Sequence, residues 1–148
     1  MNKQNQIADY LVEKCRSLFP KKKQLFNPYD VRINNEIYLV DGFGVGFGAI
    51  QEENSVTGCL RFNQDFLIPL SRKFYSLEND AEDRQEFEKE LMAEAMVLIK
   101  AISKDVNLGG LASRTVFSGS PGIQQVFGES QQYIFLTLTF NASFKENL

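Results

Sequence analysis

The chain has 148 residues, a formal net charge of −3 at pH 7 and no histidine. A chain of this length can bury roughly two thirds of its unfolded surface, so we expect a single domain over residues 1–148. The absence of histidine removes the commonest general base and metal ligand and argues against an enzyme. Apart from residues 21–23 the basic residues are dispersed, which argues against a general nucleic-acid binder.

The sequence predicts neither a membrane span nor a bound cofactor. No apolar run approaches the roughly 20 residues of a spanning helix, and residues 1–6 lack the apolar segment of a secretory signal. Cys15 and Cys59 lack metal-ligand spacing and are expected to be buried free thiols, and no serine has a histidine to activate it. We therefore expect folding in a reducing cytoplasm, with no catalytic, metal or cofactor site.

Apolar residues recur at three- and four-residue spacing near the start of the chain and predict an amphipathic helix from about Gln4 to Phe19. Pro20 stops this helix. An irregular link then leads to a predicted strand at residues 31–40, whose firmest part is Ile37–Val40.

The next segment, residues 42–49, has glycine at every second position. In an extended strand these glycines share one face, while the residues between them fill the other. The glycines are Gly42, Gly44, Gly46 and Gly48. The intervening residues are Phe43, Val45, Phe47 and Ala49. No phosphate-loop spacing is present, so the glycine face predicts close packing, either within the subunit or against a partner.

Residues 56–70 predict a long strand with one packed face and one wet face. The packed face holds Leu60, Phe62, Gln64, Phe66 and Ile68. The wet face holds Arg61, Asn63 and Asp65. Pro69 is expected to end the ladder or mark its edge. Residues 70–77 are interpreted as a connection, and its basic and aromatic side chains are typical of an interface. These side chains are Arg72, Lys73, Phe74 and Tyr75.

A second helix is predicted from about Asp80 to Lys104. Its buried stripe is predicted to be Phe87, Leu91, Ala95, Leu98 and Ile102, widened by Met92 and Ile99. Its acidic residues are interpreted as a solvated face rather than a metal site. They are Glu82, Asp83, Glu86, Glu88, Glu90 and Glu94.

The last third of the chain predicts a strand at residues 111–117, a turn at 118–122, an extended segment at 123–127 and a final strand at Gln131–Phe144. The final strand alternates without interruption, and its apolar face is Ile134, Leu136, Leu138, Phe140, Ala142 and Phe144. Together the elements predict an α+β domain in the order α-β-β-α-β-β, with two helices packed on one face of a mainly antiparallel sheet.

With this size and order of elements, the chain resembles the tail terminator proteins of long-tailed bacteriophages. The resemblance rests on the first helix through Leu11 and Leu18, on the strand Gly58–Pro69, and on the terminal segment Tyr133–Phe140. It departs from the family at Gly42–Gly48, where family members often have a proline entering the first long strand.

The resemblance implies a structural virion protein that forms a hexameric ring. Such a ring stacks on the last ring of the tail tube, stops tube polymerisation and offers its other face to the neck or head. Its partners would be other copies of the chain, the tail tube protein and a neck or head-completion protein. It would be located in the virion after assembly in the host cytoplasm, with genomic DNA passing through its lumen without specific binding and with no membrane partner.

Two sets of residues are predicted to serve this assembly. The four glycines of residues 42–48 and the side chains of residues 72–75 are the predicted subunit or partner interface. An acidic lumen would limit sticking to DNA phosphates, and its candidates are Glu52, Glu53 and Asp65.

Three other functions stay open at this point. Another neck or head–tail connector protein would share the same element pattern, because fold alone does not decide function. A small ligand-binding or regulatory α+β domain would instead hold a concave apolar pocket between sheet and helices. An enzyme that acts through carboxylates alone is the third.

Overall fold

The structure, a computed structural model, describes residues 2–25, 41–75, 80–127 and 131–147, and it describes the backbone only at 73–75, 80–83, 126–127 and 131–133. The predicted strand at residues 31–40 lies outside this part of the chain. The helices are α1 (Lys3–Leu18) and α2 (Asp80–Ser103). The strands are β1 (Lys23–Gln24), β2 (Gly42–Phe43), β3 (Gly46–Glu52), β4 (Cys59–Tyr75), β5 (Arg114–Gly119), β6 (Ile123–Phe127) and β7 (Gln131–Asn147).

The seven described strands form one sheet in the order β1-β2-β4-β7-β5, with β3 also on β4 and β6 also on β7. The β1–β2 pair is parallel and the other pairs are antiparallel. The α+β class and the mainly antiparallel sheet are therefore confirmed. The predicted α-β-β-α-β-β order is wrong, because four described strands lie between the helices and three follow α2. Glycines and a proline interrupt both outer strands and divide each into two.

The centre of the sheet is the antiparallel pair of β4 and β7, which are paired along all 17 residues of each strand. The predicted apolar face of β7, from Ile134 to Phe144, is confirmed, since each of its six residues is at most 2% exposed. On β4, the buried residues Gln64, Phe66 and Ile68 pair with Ala142, Phe140 and Leu138 and lie on the same face of the sheet. The regular alternation of two long strands therefore builds one wall of the core.

Pro69 lies within β4, so the predicted end of the ladder is wrong. Its carbonyl oxygen accepts a hydrogen bond from Gly44 N at 3.0 Å, and on the opposite side it faces Thr137 of β7. In an antiparallel pair the N–H and C=O of one residue point to the same neighbour. The N–H that proline lacks would thus point to the side where the chain is interrupted between β2 and β3. Its absence does not end the strand, and β4 continues to Tyr75.

Both helices pack on the same face of the sheet, as predicted. The side chain of Asn2 accepts a hydrogen bond from Asn5 N at 2.9 Å and caps α1 at its start. Each helix adds its apolar stripe to one core shared with β4 and β7. The buried helix residues are Ile7, Leu11 and Cys15 on α1 and Leu91, Ala95, Leu98 and Ile102 on α2.

Neither described helix covers the opposite face of the central pair over the half that runs from Arg61 to Leu67 on β4. We call this half the open face, and it consists of Arg61, Asn63, Asp65 and Leu67 on β4 and Thr139, Asn141, Ser143 and Lys145 on β7. Its side chains are half-buried or exposed. The open face is therefore available to solvent or to a partner.

Candidate interaction surfaces

The glycine segment is not one continuous strand. Residues 44–45 separate β2 from β3, and the register of β3 on β4 shifts between Phe47 and Ile50. The prediction of a smooth face made of four alternating glycines is therefore wrong. The break fits the weak strand preference of glycine, and it lies opposite Pro69, which has no N–H to pair.

Two of these glycines allow close packing within the subunit. A Cβ atom on Gly42 would lie 2.9 Å from Cδ1 of Leu25, and one on Gly48 would lie 2.9 Å from Cβ of Asp65. Both distances are shorter than real Cβ contacts, so a larger residue would displace its neighbour. At these positions packing within the subunit explains the glycine, and a role of the glycines in a partner interface stays a prediction.

The residues between the glycines divide into a buried pair and an exposed pair. Phe43 is fully buried and Val45 packs against the core, as predicted. The prediction is wrong for Ala49, which is exposed, and for Phe47, which is 53% exposed although its ring lies 5.8 Å from that of Phe66. Among the described strands, β3 pairs only with β4, so these two residues lie at an edge of the described sheet.

Residues 70–77 were predicted to be a connection, but residues 70–75 belong to β4, and residues 76–77 lie outside the described part of the chain. The guanidinium of Arg72 forms ion pairs with Glu90 and Glu94 of α2 and lies 5.3 Å from the ring centroid of Phe87. Glu94 is also paired with Lys22, whose side chain is only 5% exposed, at 2.7 Å. These contacts join the C-terminal end of β4 to α2, so Arg72 has a structural role within the subunit.

The acidic residues of α2 are less free than predicted. Glu86 is paired with Lys89 and Glu88 with Arg84 on the solvated side of the helix. Glu90 is exposed as predicted, but the continuation of β4 brings Arg72 to it and to Glu94, which is only half-buried rather than on the solvated face. The side chains of Glu82, Asp83, Lys73, Phe74 and Tyr75 lie outside the described part, and the interface role of residues 72–75 stays a prediction.

The three predicted lumen acids do not share one face. Asp65 accepts a hydrogen bond from Asn141 Nδ2 at 3.0 Å on the open face, and Glu53 accepts one from Asn63 Nδ2 beside it. Glu52 is paired with a helix-side residue of β4 and therefore points to the other side of the sheet. The structure thus brings Glu53 and Asp65 together on the open face, and their exposure to a lumen stays a prediction.

A group of cations at one end of the open face was missed by the sequence reasoning. Arg61 on β4 lies directly opposite Lys145 on β7, and Arg114 on β5 lies opposite Ser143. All three cations are exposed, and none forms an ion pair within the described residues. We call Arg61, Arg114 and Lys145 the basic cluster. Strand pairing alone assembles it, so spacing along the chain gives no signal of it.

A second missed feature is an apolar patch on the outer side of α2. Met92, Met96 and Val97 are 47%, 44% and 46% exposed. The prediction that Met92 widens the buried stripe is therefore wrong. The usable signal was the segment from Leu91 to Ile99, which is apolar at every position except Glu94 and is too broad for one helix face to bury.

A hydrogen-bonded group joins α1 to the turn after α2. The Tyr10 hydroxyl donates to Asp105 Oδ2, Gly109 N donates to Oδ1 at 3.3 Å, and Lys14 Nζ lies 3.6 Å from Oδ2. The hydrogen bond from Tyr10 lowers the pKa of Asp105 and raises the pKa of Tyr10 itself. This group is explained by its role in joining the two helices.

The prediction of buried free thiols is confirmed for Cys15 and wrong for Cys59, which is only partly buried. Burial raises the pKa of the Cys15 thiol to about 12, so a thiolate is not formed near neutral pH. No group of three or more potential metal ligands occurs among the described residues. In the same ranges, no helix is long and apolar enough to cross a membrane.

Two clefts open beside the basic cluster. One of about 400 Å³ is lined by Arg61, Lys145, Glu53 and Ser143 among others, and another of about 530 Å³ is lined by Lys3, Lys145 and their neighbours. The cleft of about 530 Å³ has a mostly polar lining, unlike the apolar pocket expected of a small-molecule site, whereas the cleft of about 400 Å³ also has Phe62 and Phe144 in its lining. No protein-family model matches the chain, and none of the curated proteins matches it either.

Proposed function

We propose that this chain is a structural virion protein of the tail terminator kind. It caps the phage tail tube as a ring, stops tube polymerisation and forms the joining interface between tail and head. The ring contains copies of the chain. It binds the tube protein on one side and a neck or head-completion protein on the other. Genomic DNA passes through its lumen.

The observation that carries this proposal is the pair of sheet edges. Within the described residues, β3 and the β5–β6 edge are each paired on one side only. Unpaired edges invite pairing with another chain, and two different edges on one subunit favour a head-to-tail contact that can close into a ring. One copy's β3 would then pair with the next copy's β5–β6 edge.

Exposed aromatic residues support the same contact. Phe47 of β3 and Phe117 of β5 are both exposed, and their strand registers place both on the helix side of the sheet. Ile50 adds exposed apolar surface beside Phe47. If the sheet continued between copies, apolar side chains from two subunits would cover each other on that side.

Native mass measurement and electron microscopy, of the protein alone and after mixing with tail tubes, test the proposal. We expect a single ring at one tube end and arrested tube growth. Phe47→Asp should abolish the ring because a charge would enter the contact between copies. Val56→Asp is the matched control, since Val56 is equally exposed but lies in the turn between β3 and β4.

A wild-type protein that never binds tubes or forms rings would overturn the proposal. Rings that ignore tubes but bind neck proteins would instead identify another head–tail connector. Loss of assembly in both Asp variants would show that added charge, rather than the β3 edge, is responsible.

A further inference from the structure

We propose that the basic cluster binds the sugar–phosphate backbone of duplex nucleic acid. The inference concerns the free chain as well as any ring, and it goes beyond the tube-capping function. The prediction of an acidic lumen expects a surface that only repels DNA. The present inference instead expects one end of the open face to contact DNA.

Strand register sets the spacing of the three charges. Directly opposed residues of an antiparallel pair have Cβ atoms about 4.5–5.5 Å apart, and diagonal neighbours lie roughly 7–8 Å apart. Arg61 and Lys145 are directly opposed, while Arg114 is diagonal to Lys145 across Ser143. Three cations are thus held on three adjacent strands of a rigid sheet, which fixes them better than a loop would.

This arrangement is unfavourable for the folded chain by itself. Like charges directly opposite each other destabilise a sheet, and no described carboxylate forms an ion pair with any of the three. Local rules of this kind are most often broken at functional sites. An anionic ligand would relieve the repulsion.

The surroundings of the basic cluster suit phosphate groups better than a protein partner. Ser113 and Asn54 line the adjoining cleft and can donate hydrogen bonds to phosphate oxygens, as hydroxyl and amide groups do in nucleic-acid complexes, whereas the Ser143 hydroxyl donates to Asn63 Oδ1. Arginine adds a planar fork of donors that matches phosphate. The site therefore offers both charge and directed donors.

A protein interface would instead need an apolar centre. Among the described residues, the exposed large apolar side chains lie on the helices, in turns or on the helix side of the sheet edges, with the exception of Val116. One carboxylate, that of Glu53, lines the same cleft, and it accepts a hydrogen bond from Asn63. Two cations, Arg61 and Lys145, line the cleft with this carboxylate and Arg114 lies on the neighbouring strand, so this end of the sheet is positive although the whole chain is acidic.

The test measures binding of a short fluorescent duplex DNA to the full chain by anisotropy between about 50 and 200 mM salt. Three phosphate contacts predict a slope of log K against log salt of about −2.7. Arg61→Gln, Arg114→Gln and Lys145→Gln should each reduce the slope by about one unit and weaken binding about tenfold at the lowest salt, for two unrelated DNA sequences alike. Lys104→Gln, which removes an exposed charge just after α2, is the control.

A second readout separates function from structure. Lys145→Gln removes the repulsion with Arg61, so its melting temperature should be equal to or above that of the wild type while its DNA affinity falls. A structural residue would lose stability and binding together.

Each remaining outcome contradicts the inference. Absence of DNA binding at low salt, or equal weakening by Lys104→Gln, would overturn it. Unchanged DNA affinity in the cluster variants, with altered native mass or lost binding to polyglutamate, would assign the basic cluster to an acidic protein surface. Tube capping is measured separately, so failure of one proposal leaves the other standing.

Discussion

Replacing Gly48 by alanine tests whether the glycine segment serves packing within the subunit. The new Cβ would lie 2.9 Å from Cβ and 3.1 Å from the carbonyl oxygen of Asp65. Both atoms belong to or adjoin the backbone of β4, which is paired on both sides and cannot easily move. The alanine must therefore force β3 away from β4.

The expected destabilisation follows from two opposing effects. Overpacking of this kind costs about 1–3 kcal/mol. Loss of glycine freedom in the unfolded chain returns about 0.4–1 kcal/mol. From the middle of each range the net loss should be about 1.3 kcal/mol, which corresponds to a melting temperature lower by about 3–5 °C for a chain of this size.

Thermal and urea unfolding of the monomer measure this difference, with Ala49→Val as the control. Ala49 is exposed on the same strand, so added volume there meets no rigid neighbour. A Gly48→Ala protein as stable as the wild type, but with altered oligomer mass, would refute the packing explanation and favour contact with a partner.

Three further results are expected. Leu98→Ala should lower the unfolding free energy by about 2–5 kcal/mol, whereas Met96→Ala, on the exposed side of α2, should change it by about 0.5 kcal/mol or less in urea titrations. Because the pKa of Asp105 is lowered in the folded state, its contribution is present above the unfolded pKa and is lost as the pH falls through the folded pKa. Asp105→Asn should thus destabilise the protein at neutral pH, and a difference that persisted in strong acid would contradict this. A thiol reagent should label Cys59 but not buried Cys15 in the native protein, and labelling of both before unfolding would contradict the packing of α1.

The sequence predicts well those elements that bury only one face, because their apolar residues then recur at a regular spacing. The alternation of β7 and the stripe from Leu91 to Ile102 each place apolar groups on one side, and burial follows from that placement. Their boundaries differ from the prediction by only a few residues at the ends. Periodicity is sufficient here because the core is on one side of both elements.

The errors arise where a neighbouring strand decides the outcome. Pro69 was expected to end a strand, but its missing donor points to a gap in the partner strand. Because β4 continues, Arg72 reaches the carboxylates of α2, and two acidic residues that were expected only to face solvent form ion pairs. Single-residue preferences give no information about such pairing, which is a tertiary effect.

The basic cluster illustrates the same limit for function. Arg61 and Lys145 are separated by most of the chain, and each looks like an ordinary polar position on the wet side of a strand. Only the register of β4 on β7 makes them neighbours. A shift of β7 by one residue would turn Lys145 to the other face and away from Arg61, so the candidate site depends on the register as strictly as the core does.

Contact between copies and DNA binding should depend differently on salt concentration. Contact between copies at the β3 edge would bury apolar groups around Phe47, and burial of this kind is not weakened by added salt. Ring closure would also bring several basic clusters into one assembly, where salt screens their repulsion over a Debye length of about 10 Å at 0.1 M. Binding of DNA to Arg61 and Lys145 must instead weaken as salt rises, because counterions compete for the phosphates. Rising salt should therefore preserve the ring while releasing DNA, and rings that dissociated together with the DNA would show that the two surfaces are one.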